Sequence, residues 1–423
     1  MGPLSSVAVV VLGALYIWTL YNLPILAKGL GKTLHSKGAV EEKILAVRNG
    51  GSPKFSIIVA AKNEELVLGR LLSRLVDLDY PRDRYEVLVV EDGSSDQTAK
   101  VGRDYSMKFP DLIKFFHRSS STGKPTALNY GLGFASGEIV VVVDSDNVPR
   151  RDFLRKTASY FDDPSVVAVQ GMTRPINKDE NFITKLNACE EAAWFRPYIQ
   201  GKETLGLFVP LTGSCGFVRR EILQKLGGWD NTSITEDIEL AARIVRNKGK
   251  IRYATDVISL QEYPSSVRQF ISQRTRWFRG YMETFVKYGT LLKNPNRMSI
   301  DAETTLAGPL VINLTVIAYA ISALNMLMPS GTASDSAVVM VAEAATVLTA
   351  ATLLLCGVAI FNHIRPRRLR NLVWIPLVFA YWFLQTAIAA RALVQMVLKT
   401  GNGWVRTEKT GRTSCSPDSA ELS

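Results

Sequence analysis

Cysteine and histidine, the residues that most often bind transition metals or form covalent crosslinks, are scarce in this sequence. Its 423 residues include four cysteines and three histidines. No pair of cysteines shows a redox or metal-binding spacing, and the histidines are dispersed; the positions are Cys189, Cys215, Cys356, Cys415, His35, His117 and His363. These absences exclude a disulfide scaffold and a histidine-built metal centre. We therefore expect carboxylates to carry the chemistry.

The sequence also lacks the polar average of a soluble protein of this length. Hydrophobic residues make up 47% of the chain, and the mean hydropathy is +0.08. These values exclude a disordered chain and predict a soluble portion joined to very apolar stretches. The 50 Lys and Arg exceed the 39 Asp and Glu by 11. Because basic residues concentrate beside the apolar stretches, we expect a lipid bilayer as their partner and no nucleic acid.

Four apolar stretches are long enough to cross a bilayer, which takes about 20 residues. They cover residues 4–27, 306–328, 336–361 and 371–398. The first has no basic start and no cleavage site, so we interpret it as an anchor and not as a signal peptide. The distribution of Lys and Arg around the stretches predicts a multi-pass protein of the cell membrane, with its catalytic part on the cytoplasmic side.

The fourth apolar stretch contains a charge, Arg391. A charged side chain at the centre of a bilayer is costly. We therefore expect residues 371–398 to enter the membrane, bend back and lie along its cytoplasmic surface, which would place Arg391 near the headgroups.

Between the apolar stretches, β-rich runs alternate with helix-like segments. The predicted strands are 55–61, 85–90, 112–117, 138–143 and 166–170, and the predicted helices are 64–77, 96–107 and 126–135. This alternation predicts an α/β domain with a mainly parallel sheet. In such sheets, ligands bind at the carboxyl ends of the strands.

Polar and acidic residues follow the predicted strands at those ends. They are Asn63-Glu64, Glu91-Asp92-Gly93-Ser94 and Asp144-Ser145-Asp146. Each set alone is also typical of a turn or a helix cap. Together they indicate a site for Mg²⁺ or Mn²⁺ with an anionic ligand, because hard cations prefer oxygen ligands. Gly123-Lys124, at the start of a predicted helix, is consistent with anion binding but also with a solvated turn.

Two further motifs lie later in the chain. Thr235-Glu236-Asp237 precedes an amphipathic helix and by itself is interpreted as a capping box with Thr235 as the N-cap. Gln273-Arg274-Thr275-Arg276-Trp277 lies in a basic amphipathic segment, Val267 to Tyr288, that is typical of an interfacial membrane helix.

In this order, the motifs resemble those of the membrane family 2 glycosyltransferases, the group of cellulose, chitin, hyaluronan and mannan synthases. The resemblance covers about residues 54–290. The tail from Trp404 to Lys409 is similar to the gating loop of these enzymes, and closely similar to the tail of cellulose-synthase-like mannan and glucan synthases. Arg406 stands where the family often has Val.

The resemblance implies a GT-A-type nucleotide-sugar-binding domain, with helices on both faces of the sheet and transmembrane helices on either side. The implied domains are an anchor (1–28), a linker (29–53), the GT-A domain (54–265), interfacial helices (266–305), two transmembrane helices (306–361), a basic loop with the bent segment (362–400) and the gating-loop-like tail (401–423).

It also implies roles for individual residues. Asp237 would be the general base, with Glu236 beside it, and Asp146 would bind Mg²⁺ or Mn²⁺ on the diphosphate. The nucleotide-binding residues would be Ala60, Asn63, Glu64, Asp92, Lys124 and Asp144; the acceptor and pyrophosphate residues Gln273, Arg274, Arg276, Trp277, Gly213, Ser214 and Cys215; the gating-loop-like residues Trp404, Thr407 and Lys409. The segment 213–216 is equally consistent with a tight turn before a strand.

The expected activity is inverting transfer of a hexose from a nucleotide sugar, with a UDP-sugar as the expected donor. The first hypothesis is a processive synthase that extends a β-linked polysaccharide and exports it, with a second copy or another chain completing the channel. The alternative is transfer of one or a few sugars to a lipid-linked acceptor, as in ceramide glucosyltransferases. A third hypothesis, from another class, is a non-catalytic membrane scaffold; the intact acidic motifs oppose it.

Overall fold

The computed structural model describes residues 3–35, 52–289, 295–327, 336–363, 369, 373–400 and 409–411. The chain divides into two compact units, each of which is described by itself. The helical unit comprises Met1–Lys37, Lys185–Leu207 and Phe270–Asn402; the sheet unit comprises Gly38–Thr184, Phe208–Gln269 and Gly403–Ser423. The predicted range 54–265 thus contains a segment, Lys185–Leu207, that packs within the helical unit. The domain ranges given above stay predictions.

The sheet unit is built on one eight-stranded mixed sheet in the order β3-β2-β1-β4-β7-β6-β8-β5. Its strands are β1 (Phe55–Ala61), β2 (Tyr85–Asp92), β3 (Ile113–Arg118), β4 (Ile139–Val142), β5 (Val148–Pro149), β6 (Val166–Pro175), β7 (Gly216–Arg219) and β8 (Lys250–Gln261). The five predicted strands are all present. Three strands were not predicted from the sequence: the short strands β5 and β7 and the long strand β8.

The expectation of a mainly parallel sheet is confirmed, although the sheet is mixed: strands β6 and β8 run in the same direction as β1 to β4, and β5 and β7 run against them. Strands β3, β2, β1 and β4 are parallel to one another, but β7 is antiparallel to both β4 and β6. The register explains why, because Gly216, the first residue of β7, pairs with Val142, the last residue of β4. A strand that begins where its neighbour ends must run in the opposite direction.

The helices are, in chain order, α1 (Pro3–His35), α2 (Leu68–Val76), α3 (Thr98–Lys108), α4 (Lys124–Leu132), α5 (Phe153–Ala158), α6 (Phe182–Glu190), α7 (Arg196–Leu205), α8 (Arg220–Lys225), α9 (Glu236–Arg246), α10 (Val267–Tyr288), α11 (Arg297–Leu327), α12 (Ser336–His363) and α13 (Trp374–Val397). A π-helical turn, Glu191–Phe195, joins α6 to α7. Helix α10 has the bounds that the amphipathic pattern predicts.

Helices cover both faces of the sheet because its central strands are buried on both sides. Alternate residues of a strand point to opposite faces. A Cβ on Gly102 of α3 would lie 3.5 Å from Cγ1 of Val89, whereas one on Gly131 of α4 would lie 3.2 Å from Cγ2 of Val90. The two helices therefore pack closely on opposite faces of β2, and the strand ends are left for the site.

Among its described residues, the helical unit contains three helices that are long and apolar enough to cross a membrane: Ser6–His35, Arg297–Ala318 and Trp374–Val397. A shorter apolar segment, Thr346–Phe361, lies in α12, where the third span was expected. Helices α1 and α7 approach closely because a glycine of each helix lies against the backbone of the other. A Cβ on Gly29 would lie 1.7 Å from the Pro197 carbonyl oxygen, and one on Gly201 would lie 2.0 Å from that of Ile25.

The fourth apolar stretch forms one unbroken helix, α13, with Arg391 exposed in its last two turns. Its proline, Pro376, lies in the first turn, where a helix tolerates proline. The expectation that residues 371–398 bend back along the membrane surface stays a prediction. Residues 329–335 and most of 362–370 lie outside the described residues.

Candidate active site

The parallel strands end at one edge of the sheet, and the loops that follow them are hydrogen-bonded to one another. The backbone N–H of Asn63, after β1, donates to Oγ of Ser94, after β2, at 3.0 Å. The Ser145 hydroxyl, after β4, donates to the carbonyl of Ala60 at 3.2 Å. Asn63 has a φ of +54°, a conformation that asparagine tolerates better than most residues. The sheet topology thus brings Ala60, Asn63 and the Asp144-Ser145-Asp146 turn together.

Lys124 is surrounded by acceptors from three separate segments. Its Nζ lies 2.6 Å from Oδ1 of Asp144, 3.0 Å from the carbonyl oxygen of Gly213 and 3.3 Å from Oε1 of Glu236. Burial by itself would lower the pKa of Lys124, but Asp144 and Glu236, with a smaller effect of Asp237, hold it above its usual value. The lysine is therefore a fixed positive charge at the start of α4.

The carboxylates in this cluster outnumber the lysine. Burial raises the pKa of Asp144; Lys124 opposes the shift, and the neighbouring charges of Asp146 and Glu236 add to it. A cluster with an excess of buried negative charge favours a cation or a ligand that brings one with it.

Asp237 lies against the turn that contains Gly213. This glycine has a φ of +79°, and a Cβ added to it would lie 3.1 Å from Oδ2 of Asp237 and 3.8 Å from Nζ of Lys124. Glu236 and Asp237 occupy the first turn of α9, where the helix dipole stabilises negative charge. The Gly213 turn, Lys124 and the two carboxylates thus form one contiguous group.

The capping-box interpretation of Thr235 is wrong. Thr235 is the N-cap residue of α9, but its side chain makes no capping hydrogen bond, and its buried Oγ1 has no hydrogen-bond partner among the described residues. A capping box needs Glu or Gln three residues after the cap, and that position holds Ile238. The two acidic residues of the motif are consequently not used for capping.

Residues 212–215 form a tight turn before β7, and the sequence analysis missed the residue that holds it. Oε1 of Gln170 accepts from the Thr212 N–H at 2.9 Å, and its Nε2 donates to the Ser214 carbonyl at 2.9 Å. Cys215 has a φ of +54°, and burial raises the pKa of its thiol to about 12. Oγ of Ser214 accepts from the Asp144 N–H at 3.0 Å. The sequence signal that could have identified Gln170 is a polar residue at the end of the apolar run 166–169.

Asp92 has two partners that sequence reasoning also missed. Its Oδ1 lies 2.8 Å from a guanidinium nitrogen of Arg118, and Ser121 donates its hydroxyl to Oδ2 at 2.6 Å. Asp92 and Arg118 are paired residues at the ends of β2 and β3. The strand-end residues expected in the site are acidic or neutral polar, and the basic residue that ends β3 was not among them.

Asp146 is buried and binds the ammonium group of the tail. Lys409 Nζ lies 2.6 Å from Oδ2 of Asp146, and the Glu262 N–H donates to the same oxygen at 3.2 Å. Burial would lower the pKa of Lys409, but Asp146 outweighs it and raises the pKa. Glu262 also pairs with Arg70 at 2.9 Å and accepts from the Thr410 N–H at 3.1 Å. Trp404 and Thr407 lie outside the described residues.

The donor set fits a divalent cation only in part. Among the described residues, no group of three His, Cys, Asp or Glu side chains could hold a metal ion. Asp146 nevertheless presents a buried carboxylate oxygen to a cationic group, as a metal ligand would. Oxygens of a bound diphosphate and water would have to complete the coordination, which is the usual arrangement for Mg²⁺.

A cavity of about 440 Å³ opens beside the tail. Its lining residues are Asn63, Glu64, Glu65, Leu66, Ser95, Asp96 and Lys409. Two of the predicted nucleotide residues, Asn63 and Glu64, therefore border an open space large enough for a small ligand.

The Gln-x-x-Arg-Trp motif lies on α10, in the helical unit. Gln273, Arg276 and Trp277 are half-buried, whereas Arg274 is buried. Arg274 donates to Oε2 of Glu190 at 2.6 Å, and its guanidinium lies 4.6 Å from the Trp277 ring centroid. The predicted acceptor residues thus divide between the units, with Gly213, Ser214 and Cys215 in the sheet unit.

The mixed sheet, with helices on both faces and a carboxylate-rich edge, is a GT-A fold. Residues 53–280, just over half of the chain, match the family model described as glycosyltransferase like family 2. The chain belongs to this glycosyltransferase family, which confirms the resemblance at the level of family.

Two curated relatives illustrate the range of the family. The β-monoglucosyldiacylglycerol synthase of Trichormus variabilis is 35% identical over 253 residues, which are 59% of this chain and 53% of that protein. The poly-β-1,6-N-acetyl-D-glucosamine synthase of Staphylococcus epidermidis is 27% identical over 234 residues, 55% of this chain and 56% of that protein. The chain spans little more than half the length of the curated relatives it matches.

Among solved structures, a mannosyltransferase from Pyrobaculum calidifontis, in complex with GDP-Man and Mn²⁺, has a TM-score of 0.60 and 22% identity. The match covers 94% of this chain and 100% of that chain. At this identity the likeness supports the fold alone. The similarity of the tail to cellulose-synthase-like enzymes stays a prediction.

Proposed function

We propose that the protein transfers a hexose, with inversion, from a UDP-sugar to a hydroxyl group of a membrane-lipid acceptor. The observation that carries this proposal is the contiguous group formed by Lys124, Asp144, Glu236, Asp237 and the Gly213 turn. It combines a fixed positive charge with an excess of carboxylates in one place. A transferase needs both, one to bind the donor and one to accept a proton.

Asp237 is the general base in this mechanism. Its carboxylate accepts the proton of the acceptor hydroxyl while the hydroxyl oxygen bonds to the anomeric carbon of the sugar. The bond from that carbon to the diphosphate breaks, and the nucleoside diphosphate leaves with the electron pair. Displacement from the opposite side inverts the configuration, so an α-linked donor gives a β-linked product. Proton transfer of this kind contributes about 10²–10⁴-fold to the rate.

The donor is held by the residues at the strand ends. We assign the nucleoside to the region of Ala60, Asn63, Glu64, Asp92 and Asp144, and the diphosphate to Lys124 and Asp146. Asp146 would hold Mg²⁺ or Mn²⁺, which when bound neutralises charge on the diphosphate. Lys124 supplies a fixed charge close by, and electrostatic stabilisation of the leaving group is usually the largest contribution to catalysis.

A lipid acceptor is supported by two observations. In the part of the chain that the structure describes, the helical unit offers three helices apolar enough to span a bilayer, with α10 as a basic amphipathic helix beside them in the chain. The relative that makes glucosyldiacylglycerol shares a higher identity than the polymer-forming relative, 35% against 27%. The positive-inside pattern supports a cytoplasmic catalytic unit. In this proposal Gln273, Arg276 and Trp277 contact the acceptor and the pyrophosphate.

The second candidate is extension of a β-linked polysaccharide, the first hypothesis of the sequence analysis. It is favoured by the tail, since Lys409 lies on Asp146 beside the predicted donor residues, as a gating segment would. A processive synthase must hold its product and release nucleotide repeatedly. This candidate predicts a long polymer. It also predicts a homo-oligomer, because the three candidate spans among the described residues are too few to enclose a channel.

The test is a donor screen on purified membranes that contain the protein. UDP-glucose, UDP-N-acetylglucosamine and GDP-mannose, each radiolabelled in the sugar, are incubated with diacylglycerol and with Mn²⁺, Mg²⁺ or EDTA. We expect label from one UDP-sugar in an organic-extractable β-glycolipid, and none with EDTA. Label in an ethanol-insoluble polymer would replace the lipid proposal by the second candidate. No transfer from any donor would contradict both.

A further inference from the structure

A buried carboxylate outside the sheet-unit site connects three segments of the helical unit. Glu190, the last residue of α6, is 4% exposed and contacts side chains of both α10 and α13. We infer that Glu190 is a positioning residue for Trp277, and that it acts through Arg274. The inference rests on the proposed function, in which Trp277 contacts the acceptor.

Both oxygens of the Glu190 carboxylate accept hydrogen bonds. Arg274 donates to its Oε2 at 2.6 Å, and the hydroxyl of Tyr381 lies 2.7 Å from the same oxygen. Nε2 of Gln385 donates to Oε1 at 2.5 Å. A buried charge is tolerated when it is paired and hydrogen-bonded, and both oxygens of this carboxylate meet that condition. Its geometry is therefore fixed.

Arg274, in turn, contacts the aromatic ring of Trp277. The guanidinium carbon of Arg274 lies 4.6 Å from the centroid of the Trp277 ring and 5.4 Å from that of Phe270. Arg274 and Trp277 are three residues apart on one helix, so their side chains share a face. Cation–π contacts are strongest where the cation is desolvated, as it is here. A guanidinium anchored by Glu190 thereby fixes the orientation of the indole.

Helix α13 also contributes side chains to this cluster. Tyr381 and Gln385 project from a helix that is apolar enough to span a membrane. Polar side chains on such helices face protein and not lipid, and they often mark functional positions. Both contact Glu190, and the hydroxyl of Tyr381 also lies 3.0 Å from Oδ1 of Asn187. The carboxylate therefore ties the motif helix α10 to α13, and a purely structural tie would not need to contact an arginine inside the motif.

The experiment compares Glu190→Gln with Glu283→Gln in the full-length protein. Both variants remove a carboxylate that faces an arginine of α10, since Glu283 pairs with Arg279 at 2.5 Å. We expect Glu190→Gln to raise the KM for the lipid acceptor about tenfold, with the KM for the UDP-sugar unchanged. Glu283→Gln should change neither. Equal increases in both KM values for Glu190→Gln would overturn the inference.

A double-variant cycle tests the route through Arg274. If Glu190 acts on Trp277 only by anchoring that guanidinium, Glu190→Gln should add nothing to the acceptor KM of Arg274→Met. Additive effects would overturn the route. Should Glu190→Gln fold poorly, Tyr381→Phe removes a single hydroxyl from the same oxygen. It should raise the acceptor KM about threefold, and an unchanged acceptor KM would count against the inference.

A second measurement does not depend on transfer. The fluorescence of the protein minus that of its Trp277→Phe variant isolates the Trp277 signal. Glu190→Gln should increase the acrylamide quenching of this difference signal at least twofold, and Glu283→Gln should not. Increased quenching in a protein that transfers no sugar would leave the positioning role intact and contradict the proposed function. Active protein whose quenching and acceptor KM are both unchanged would contradict the inference alone.

Discussion

Two lysines, one in each unit, show how the number of carboxylates around a buried cation separates a reactive site from a structural one. Lys124, in the sheet unit, contacts Asp144 and Glu236 and lies close to Asp237. Lys202, in the helical unit, is fully buried and forms one pair with Asp301, at 2.6 and 2.7 Å.

The pKa values of the two lysines move in opposite directions. Burial is the largest influence on each and lowers both. At Lys124 several carboxylates overcome it and raise the pKa, whereas at Lys202 the single carboxylate does not, and the pKa is lowered. One-to-one pairing leaves no charge for a ligand. An excess of carboxylates leaves negative charge that a substrate complex, its metal or a proton can neutralise.

The largest effect is expected from substitution of Asp237, the proposed general base. Asp237→Asn should lower kcat by about 10²–10⁴-fold, because an amide cannot accept the proton of the acceptor hydroxyl. The Kd for the nucleotide sugar, measured by calorimetry, should stay the same. Asp230→Asn, a few residues before α9, serves as the control and should retain full activity. Normal turnover of Asp237→Asn would exclude it as the base.

Substitution in the Lys202–Asp301 pair should change the stability of the protein and not the chemistry of the site. Lys202→Met leaves the charge of Asp301 buried without its ammonium partner, so the free energy of unfolding should fall by about 3 kcal/mol. Combining it with Asp301→Leu should recover most of the loss, as chemical unfolding in detergent would show. If Lys202→Met were as stable as the parent protein but inactive, the distinction between the two lysines would be lost.

A smaller effect on turnover is expected at the turn beside Asp237. Gly213→Ala places a methyl group 3.1 Å from Oδ2 of Asp237, at a φ of +79°. A displaced base should lower kcat by about 10–100-fold. Gly227 has a φ of +84° with nothing within 4 Å of its added Cβ. Gly227→Ala therefore carries the same backbone cost, about 1 kcal/mol, without the contact, and its kcat should be unchanged.

The smallest effect concerns the tail. Lys409 occupies Oδ2 of Asp146, so it competes with a divalent cation for that oxygen. In Lys409→Met, the Mn²⁺ concentration for half-maximal nucleotide binding should fall about tenfold. The exposed Lys100→Met provides the control for loss of one positive charge. An increased requirement for Mn²⁺ in Lys409→Met would mean that the lysine assists the metal and does not exclude it.

Local patterns in the sequence were sufficient to predict many of the strands and helices of the sheet unit. Strand β1 and helix α10 have the predicted bounds, because a β-branched apolar run and a 3.6-residue amphipathic period are properties of neighbouring residues. The acidic residues at strand ends were also identified, since their positions follow from the strands. The direction of β7 was not predicted, because it depends on which strand its four residues pair with.

By itself, the sequence determined the family, the types of residue in the site and the strands that carry them. Only the tertiary structure decided which charges meet: Lys409 and Asp146 are 263 residues apart in the chain, and Arg274 and Glu190 are 84 apart. The physical reason is that secondary structure is encoded over a few neighbouring residues. Side-chain partners are set by strand order, register and helix packing, on which all parts of the chain act together.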